Sequence, residues 1–214
     1  MNHIKKVMFF ILIIFTVSIC SAKELFEKQD IILNKSLAGL TIVGSYYFDE
    51  QIRYFSQNNL NVNFSSSLTT EHILGFSGIL YLSSFFADDE KYSKTSFQSL
   101  SSGIISSGVV YGLKIFFGRA RPYVELGKND FSFFRGLDGD DYRSFVSGHS
   151  ALSWAIFTPY AKKYSNYIYV IPLFISILRI LEDKHWTSDV IVGSLIGYTV
   201  GTLFFEKDFY FKLF

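Results

Sequence analysis

Three short polar stretches interrupt an otherwise apolar chain: Lys114 with Arg121-Pro122, then Ser147-Gly148-His149, then Arg179 followed by His185 and Asp189. Together they offer three cations, two imidazoles and a carboxylate, the groups needed to hold a phosphate and attack it through a histidine. Lys114 and Arg121 are seven residues apart, two helical turns, so a continuing helix sets them on one face. Gly118 and Pro122 mark that helix as ending, which lets the chain fold Arg121 over a ligand. Arg119 is a further cation off that face. Serines ahead of Gly148 are natural helix N-caps, and Gly148 lets backbone amides approach an anion at the helix start, with His149 in the first turn beside it.

His185 and Asp189 are four residues apart and share a helical face. There a carboxylate can fix the imidazole tautomer and leave the other nitrogen free to attack. Arg179 precedes His185 by six residues, about 240° around a continuous helix, so both meet one ligand only if the helix breaks. Glu182-Asp183-Lys184 is the expected break, with Asp183 capping the next helix. Each stretch also has a plain alternative: a basic helix end at a membrane surface, a capped helix with an incidental histidine, a surface His-Asp pair. Three converging cations repel a divalent ion and no histidine pair has ligand spacing, so a metal centre is disfavoured. His3 and His72 stand alone and are read as non-catalytic.

The elements that must position these residues are apolar helices. Of the 214 residues 49% are hydrophobic, with 24 Phe, 14 Tyr and only 3 Pro, a mixture suited to long helices. A formal net charge of +1 gives no reason to expect nucleic acid or a polyanionic partner. Five runs lack charged residues: 73–87, 96–113, 148–161, 164–178 and 190–205. Each is somewhat shorter than the ~20 residues that cross a bilayer squarely, but the runs are apolar on every side and charges sit in the links. In the last run Gly193, Gly197 and Gly201 recur every four residues, a ridge that admits a close neighbouring helix in lipid or in a soluble bundle.

Met1 to Lys6 is basic, Val7 to Ile19 apolar, and Cys20-Ser21-Ala22 small, which describes a secretory signal peptide or an uncleaved anchor. Cys20 is the single cysteine, leaving no internal disulfide or thiolate cluster. The expected organisation is 1–22 signal, 23–71 an N-terminal interfacial helix (Ile31 to Phe48) with a polar loop, 72–205 a catalytic domain, and 206–214 a tail. Five crossings put Lys91, Lys94, Lys162 and Lys163 inside, as the positive-inside rule prefers, and all three polar stretches outside.

With these residues in place the chain resembles the type 2 phosphatidic acid phosphatase (PAP2) superfamily, whose signature is K-x6-RP, PSGH and SR-x5-H-x3-D. Lys114 to Arg121-Pro122 completes the first element, Val146-Ser147-Gly148-His149 reads as the second and Leu178-Arg179, His185 and Asp189 as the third. Val146 replaces a proline and Leu178 a serine; every ionisable position is intact. The resemblance spans about 96–205. It implies an all-α membrane helical bundle of about five transmembrane helices with a haloperoxidase-like site. It implies His185 as the nucleophile of a phosphohistidine intermediate, Asp189 orienting it and His149 as the acid for the leaving group. Lys114, Arg121 and Arg179 would bind phosphoryl oxygens, Ser147 and Gly148 would add donors, and no metal or other cofactor is implied. A neutral His185 beside a charged His149 calls for a bell-shaped pH profile. The expected protein is thus a lipid phosphate or pyrophosphate phosphatase of the bacterial inner membrane, its site facing the periplasm, with membrane lipids as its surroundings. Isoprenyl pyrophosphate, phosphatidate-type lipids and lipid A phosphates all stay open as substrates. A soluble periplasmic acid phosphatase, a vanadate-binding haloperoxidase and a non-catalytic lipid-binding membrane protein are the alternatives.

Overall fold

The computed structural model describes residues 31–60, 67–208 and 210, with side chains from 36 onward. The signal segment, part of the expected polar loop (61–66) and the end of the tail lie outside the described residues. Seven α-helices occur among the described residues: α1 (Ile31–Tyr47), α2 (Asp49–Asn59), α3 (Thr70–Ser84), α4 (Glu90–Phe117), α5 (Gly148–Lys163), α6 (Val170–Leu181) and α7 (Thr187–Glu206). Strands are absent among those residues, so the expected all-α class holds.

The five uncharged runs fall on α3 to α7, which alternate in direction along the bundle. The helix at the centre is α5, with Ala151, Leu152, Ala155 and Ile156 at most 2% exposed. Backbone contact is close on two of its sides. Towards α7, a Cβ added at Gly193, Gly197 or Gly201 would sit 2.5, 2.0 or 2.8 Å from the carbonyl oxygens of Ser147, Ala151 and Ala155. The glycine ridge therefore meets the carbonyl-rich backbone of α5, where any side chain would force the helices apart. Towards α4, Ser99 and Ser102 donate to the Ile156 and Ala155 carbonyls at 2.9 and 2.7 Å, so small hydroxyl residues serve as both spacers and bonds.

Among the described residues two helices are long and apolar enough to cross a bilayer, α4 with its continuation to Val124, and α7. By contrast, α3 and α5 have 15 and 16 residues, about 23 Å at 1.5 Å per residue against a ~30 Å hydrocarbon core. The five-crossing arrangement expected from composition is thus reduced to two helices that meet both requirements.

The direction of the helices puts the C-terminal ends of α4 and α6 with the N-terminal ends of α3, α5 and α7. Every chemistry-bearing residue lies at that end. At the opposite end Lys162 pairs with Glu206 at 3.2 Å and Lys94 with Asp208 at 2.5 Å, while the Lys91 ammonium sits 4.6 Å from the Tyr164 ring centroid.

The N-terminal segment docks on this bundle. Phe48 separates α1 from α2, and the first residue of α2, Asp49, is 1% exposed. One turn on, Arg53 donates to both oxygens of Asp183, each at 2.8 Å.

Candidate active site

The end of α4 is shaped by Gly118, whose φ of 51° is the left-handed conformation that terminates helices, its N–H returning to the Lys114 carbonyl. A Cβ there would lie 2.1 Å from the Ser132 carbonyl oxygen, so the turn also requires the space of a glycine. The chain leaves the helix axis, and the two arginines that follow part company. Arg121 turns to the bundle end, where its Nε donates to the Asp140 carbonyl at 2.8 Å, one terminal nitrogen to the Asp140 carboxylate at 2.7 Å and the other to the Lys184 carbonyl at 3.3 Å. Arg119 turns inward and is fully buried.

Helix α6 breaks where expected. Glu182 follows its last turn, Asp183 takes a φ of 56°, and the N–H groups of Lys184 and His185 both return to the Arg179 carbonyl at 3.2 and 3.3 Å. The break swings His185 to the same side as Arg179. Asp183 does not cap α7, however; its carboxylate is taken by Arg53, and Asp189 inside the first turn of α7 accepts the Trp186 N–H at 3.1 Å instead.

A cavity of about 860 Å³ opens at this end, and Lys114, Arg121, Gly148, His149, Arg179 and His185 all line it. Six of the eight expected site residues thus meet in one space. Ser147 and Asp189 lie behind the wall. Ser147 is fully buried at the N-cap of α5, but its hydroxyl accepts from Ser150 at 3.0 Å and its N–H donates to the Asp189 carbonyl at 3.0 Å. Its N–H is thus spent on joining α5 to α7 and its hydroxyl is turned to Ser150, so Ser147 does not reach the cavity wall where it was expected.

His185 Nδ1 is 2.8 Å from the Ser144 carbonyl oxygen and 4.0 Å from Asp189 Oδ2. A carbonyl only accepts, so Nδ1 carries the hydrogen and Nε2 of the neutral ring keeps its lone pair. The tautomer expected from an Asp189 contact is therefore set by Ser144. Asp189 acts one bond further out: its Oδ2 accepts from the Ser144 hydroxyl at 2.5 Å and its Oδ1 from Arg119 at 2.5 Å. Helical spacing placed the carboxylate correctly, but capping α7 and pairing with Arg119 draw it off the imidazole.

Burial holds the His185 imidazole well below the usual histidine range, and the charges of Lys114, Arg121 and Arg179, then His149, push it the same way. The neutral form is thus the resting form. His149 points its Nε2 at the Leu68 carbonyl, 2.8 Å away, just ahead of α3. His72 closes a capping box with Thr69 at the start of α3.

The cations of the cavity are incompletely satisfied. Arg179 bonds Glu182 at 2.6 Å through one terminal nitrogen, while its Nε is buried without a hydrogen-bond partner among the described residues. Lys114 donates to the Arg143 carbonyl. Spacing did not single out Arg143 and Lys184 as site residues, yet they bring the basic side chains on the wall to five against the carboxylates of Glu71, Asp140 and Glu182. Such a surplus suits an anion and repels a divalent metal. In the segment between α4 and α5, other charged side chains pair among themselves: Arg135 with Asp130 at 2.8 Å, and Asp141 accepts from the Tyr123 hydroxyl at 2.7 Å. Leu68, Leu74, Val110 and Tyr111 form an apolar side of the cavity towards α3 and α4.

A sequence model of the PAP2 superfamily matches residues 96–212. Among proteins of curated function, a lipid A 1-phosphatase from Porphyromonas gingivalis is 30% identical over 122 residues. That stretch covers 53% of this chain and only 23% of the relative. No solved structure gives a significant match.

Proposed function

Since the chain belongs to the PAP2 superfamily, we propose that it is a metal-independent phosphatase of lipid phosphates or pyrophosphates, working through a phosphohistidine at His185. The observation that carries this reading is the convergence of Lys114, Arg121, Arg179, His149 and His185 on one cavity, with Arg179 Nε unpartnered among the described residues. Phosphoryl oxygens take the bonds that Arg179 Nε and the Lys114 ammonium offer. His185 Nε2 attacks phosphorus, a P–N bond forms and the P–O bond to the leaving group breaks. Burial, then the charge of Arg179, lowers free His149 to about 4, so the imidazolium expected there forms only with the negative phosphate bound beside it; it keeps its Nε2–H on the Leu68 carbonyl and gives its Nδ1–H to the leaving oxygen. Water then attacks the phosphohistidine, its proton returning to His149, and phosphate leaves.

A lipid substrate is favoured by the surroundings. The apolar wall of the cavity adjoins α3 and α4, whose Phe76, Ile79, Leu82, Ile104, Ile105 and Val109 are between 44% and 65% exposed. Apolar surface on that scale is stable in contact with acyl chains rather than water. Lys91, Lys94, Lys162 and Lys163 lie at the end remote from the cavity, which supports a bacterial inner-membrane protein with its site on the periplasmic side. The relative's activity on lipid A favours a phosphorylated lipid headgroup of that kind.

Phosphate release from a panel of lipid phosphates in EDTA, with wild type and His185→Ala compared, tests the proposal. Turnover in EDTA that disappears in the variant is expected. Activity that survives the substitution removes His185 from the reaction.

A further inference from the structure

Behind the cavity lies an ion cluster that the reaction does not touch. Arg119 is fully buried, and among the basic residues of the Lys114–Arg121 stretch it alone is turned away from the cavity. One terminal nitrogen donates to Asp189 at 2.5 Å and to the Ser188 hydroxyl at 2.8 Å; the other donates to Asp49 at 2.9 Å. Asp49 in turn accepts from the backbone N–H of Ser188 at 2.8 Å and from its hydroxyl at 2.6 Å. From Asp189 the chain of bonds continues through the Ser144 hydroxyl, and the Ser144 carbonyl holds His185 Nδ1. Asp49, Arg119, Ser144 and Asp189 are at most 1% exposed, so no water competes for these bonds.

We infer that Asp49 and Arg119 are positioning residues for the nucleophile, acting on His185 through Asp189 and Ser144. The inference rests on the proposed attack by His185. Asp49 lies in the N-terminal segment, outside the matched residues 96–212, so the segment is part of the catalytic apparatus rather than an appendage. The physical reason is charge sharing. Asp189 faces a nucleophile that becomes cationic on phosphorylation, and a single guanidinium bound to it alone would cancel the carboxylate. Asp49 divides Arg119 between two carboxylates and leaves net negative charge behind His185.

The test is Asp49→Asn in the full-length, detergent-solubilised protein, which keeps size and one acceptor but removes the charge. An order of 10-fold loss in kcat is expected with KM changed less than about twofold, as for other groups that act one bond behind a reacting residue. Burial pushes the Asp49 carboxyl up to about 6, against the pull of Arg119 beside it. The gap between wild type and variant is therefore expected to be widest above pH 6 and to close below it, where wild-type Asp49 is itself protonated. The charged neighbours bearing on this profile are Arg119 and Asp189 around Asp49, and Lys114, Arg121, Arg179, His149 and Asp189 around His185. A merely structural Asp49 moves melting temperature without that pH signature.

Unchanged kcat at pH 8, or a loss equal at every pH, overturns the inference. Should Asp49→Asn fail to yield folded protein, Ser188→Ala decides: a kcat reduction of about threefold with KM held is expected, and wild-type kcat overturns it. If His185→Ala retains activity, the phosphohistidine reading fails first. If His185→Ala is inactive while Asp49→Asn and Ser188→Ala match wild type, that reading stands and the positioning role falls.

Discussion

Arg119 and Arg121 are two residues apart, yet they live in opposite electrostatic worlds. Arg119 is fully buried, forked between two carboxylates and ringed by Tyr46, Phe131 and Trp186 at 4.9 to 5.4 Å. Arg121 reaches a cavity where basic groups outnumber acidic ones and its carboxylate partner, Asp140, is 70% exposed in its side chain. A guanidinium whose charge is fully matched holds structure, because removing any partner strands a buried ion. One whose charge is under-matched is ready for an incoming anion. The difference separates the groups that build this site from those that bind at it.

The largest effect expected is on the reaction itself. His185→Ala should lower kcat by at least about 10³-fold in a phosphate-release assay, while the melting curve stays close to wild type because the ring is replaced at a cavity wall. On the binding side, Arg179→Ala should lower kcat/KM by about 10²-fold, with inorganic phosphate losing most of its power to inhibit. Retained phosphate inhibition in Arg179→Ala would mean that its open Nε is not an anion site.

On the structural side of the comparison, Arg119→Ala strands Asp49 and Asp189 and should cost about 3–5 kcal/mol, read as a fall in thermal stability that added phosphate does not rescue. Gly197→Ala puts a Cβ 2.0 Å from the Ala151 carbonyl oxygen and should cost about 1–3 kcal/mol, with a smaller loss of activity because α5 and α7 each carry part of the site.

The smallest expected effect is on the pH profile. His185 stays neutral well below its ordinary range, because burial and three cations disfavour its proton. The proposed attack needs a neutral His185 and the proposed acid step a protonated His149, so kcat/KM should be bell-shaped, with the rising limb of His185 below about 6.5, the unperturbed histidine value. Stability moves the same way: the unfolded chain takes up a proton below about 6.5 that folded His185 refuses, so folding weakens as pH falls through that window. An acid limb centred at or above 6.5 would assign the titration to another group.

Much of the site was legible along the chain because helices convert spacing into position. The glycine that ends α4 and the charged break after Arg179 each gave local geometry that the fold preserved, whereas Lys114 and Arg121 meet at the cavity through the turn at Gly118 and not on one helical face. Ser147 and Asp189 were chosen correctly as neighbours of the site, but not in their contacts. At a helix start a serine hydroxyl or a carboxylate has several possible donors and acceptors, and only the packing of α5 against α7 selected among them. The bilayer reading shows the same limit: uncharged runs marked all five bundle helices, while helix length and apolar composition decided that two of them meet the requirement for crossing.

What the sequence by itself determined is the inventory of the cavity: which side chains carry charge, and at which helix ends they sit, since hydrogen-bonded helices leave little freedom over a few residues. What only the tertiary structure decided is the pairing of those charges. Asp49 and Arg119 are separated by 70 residues, and Ser144 and His185 by 41. Partnership at such distances depends on how whole helices pack, so whether a given arginine ends up neutralised in the interior or open to a phosphate is a property of the fold.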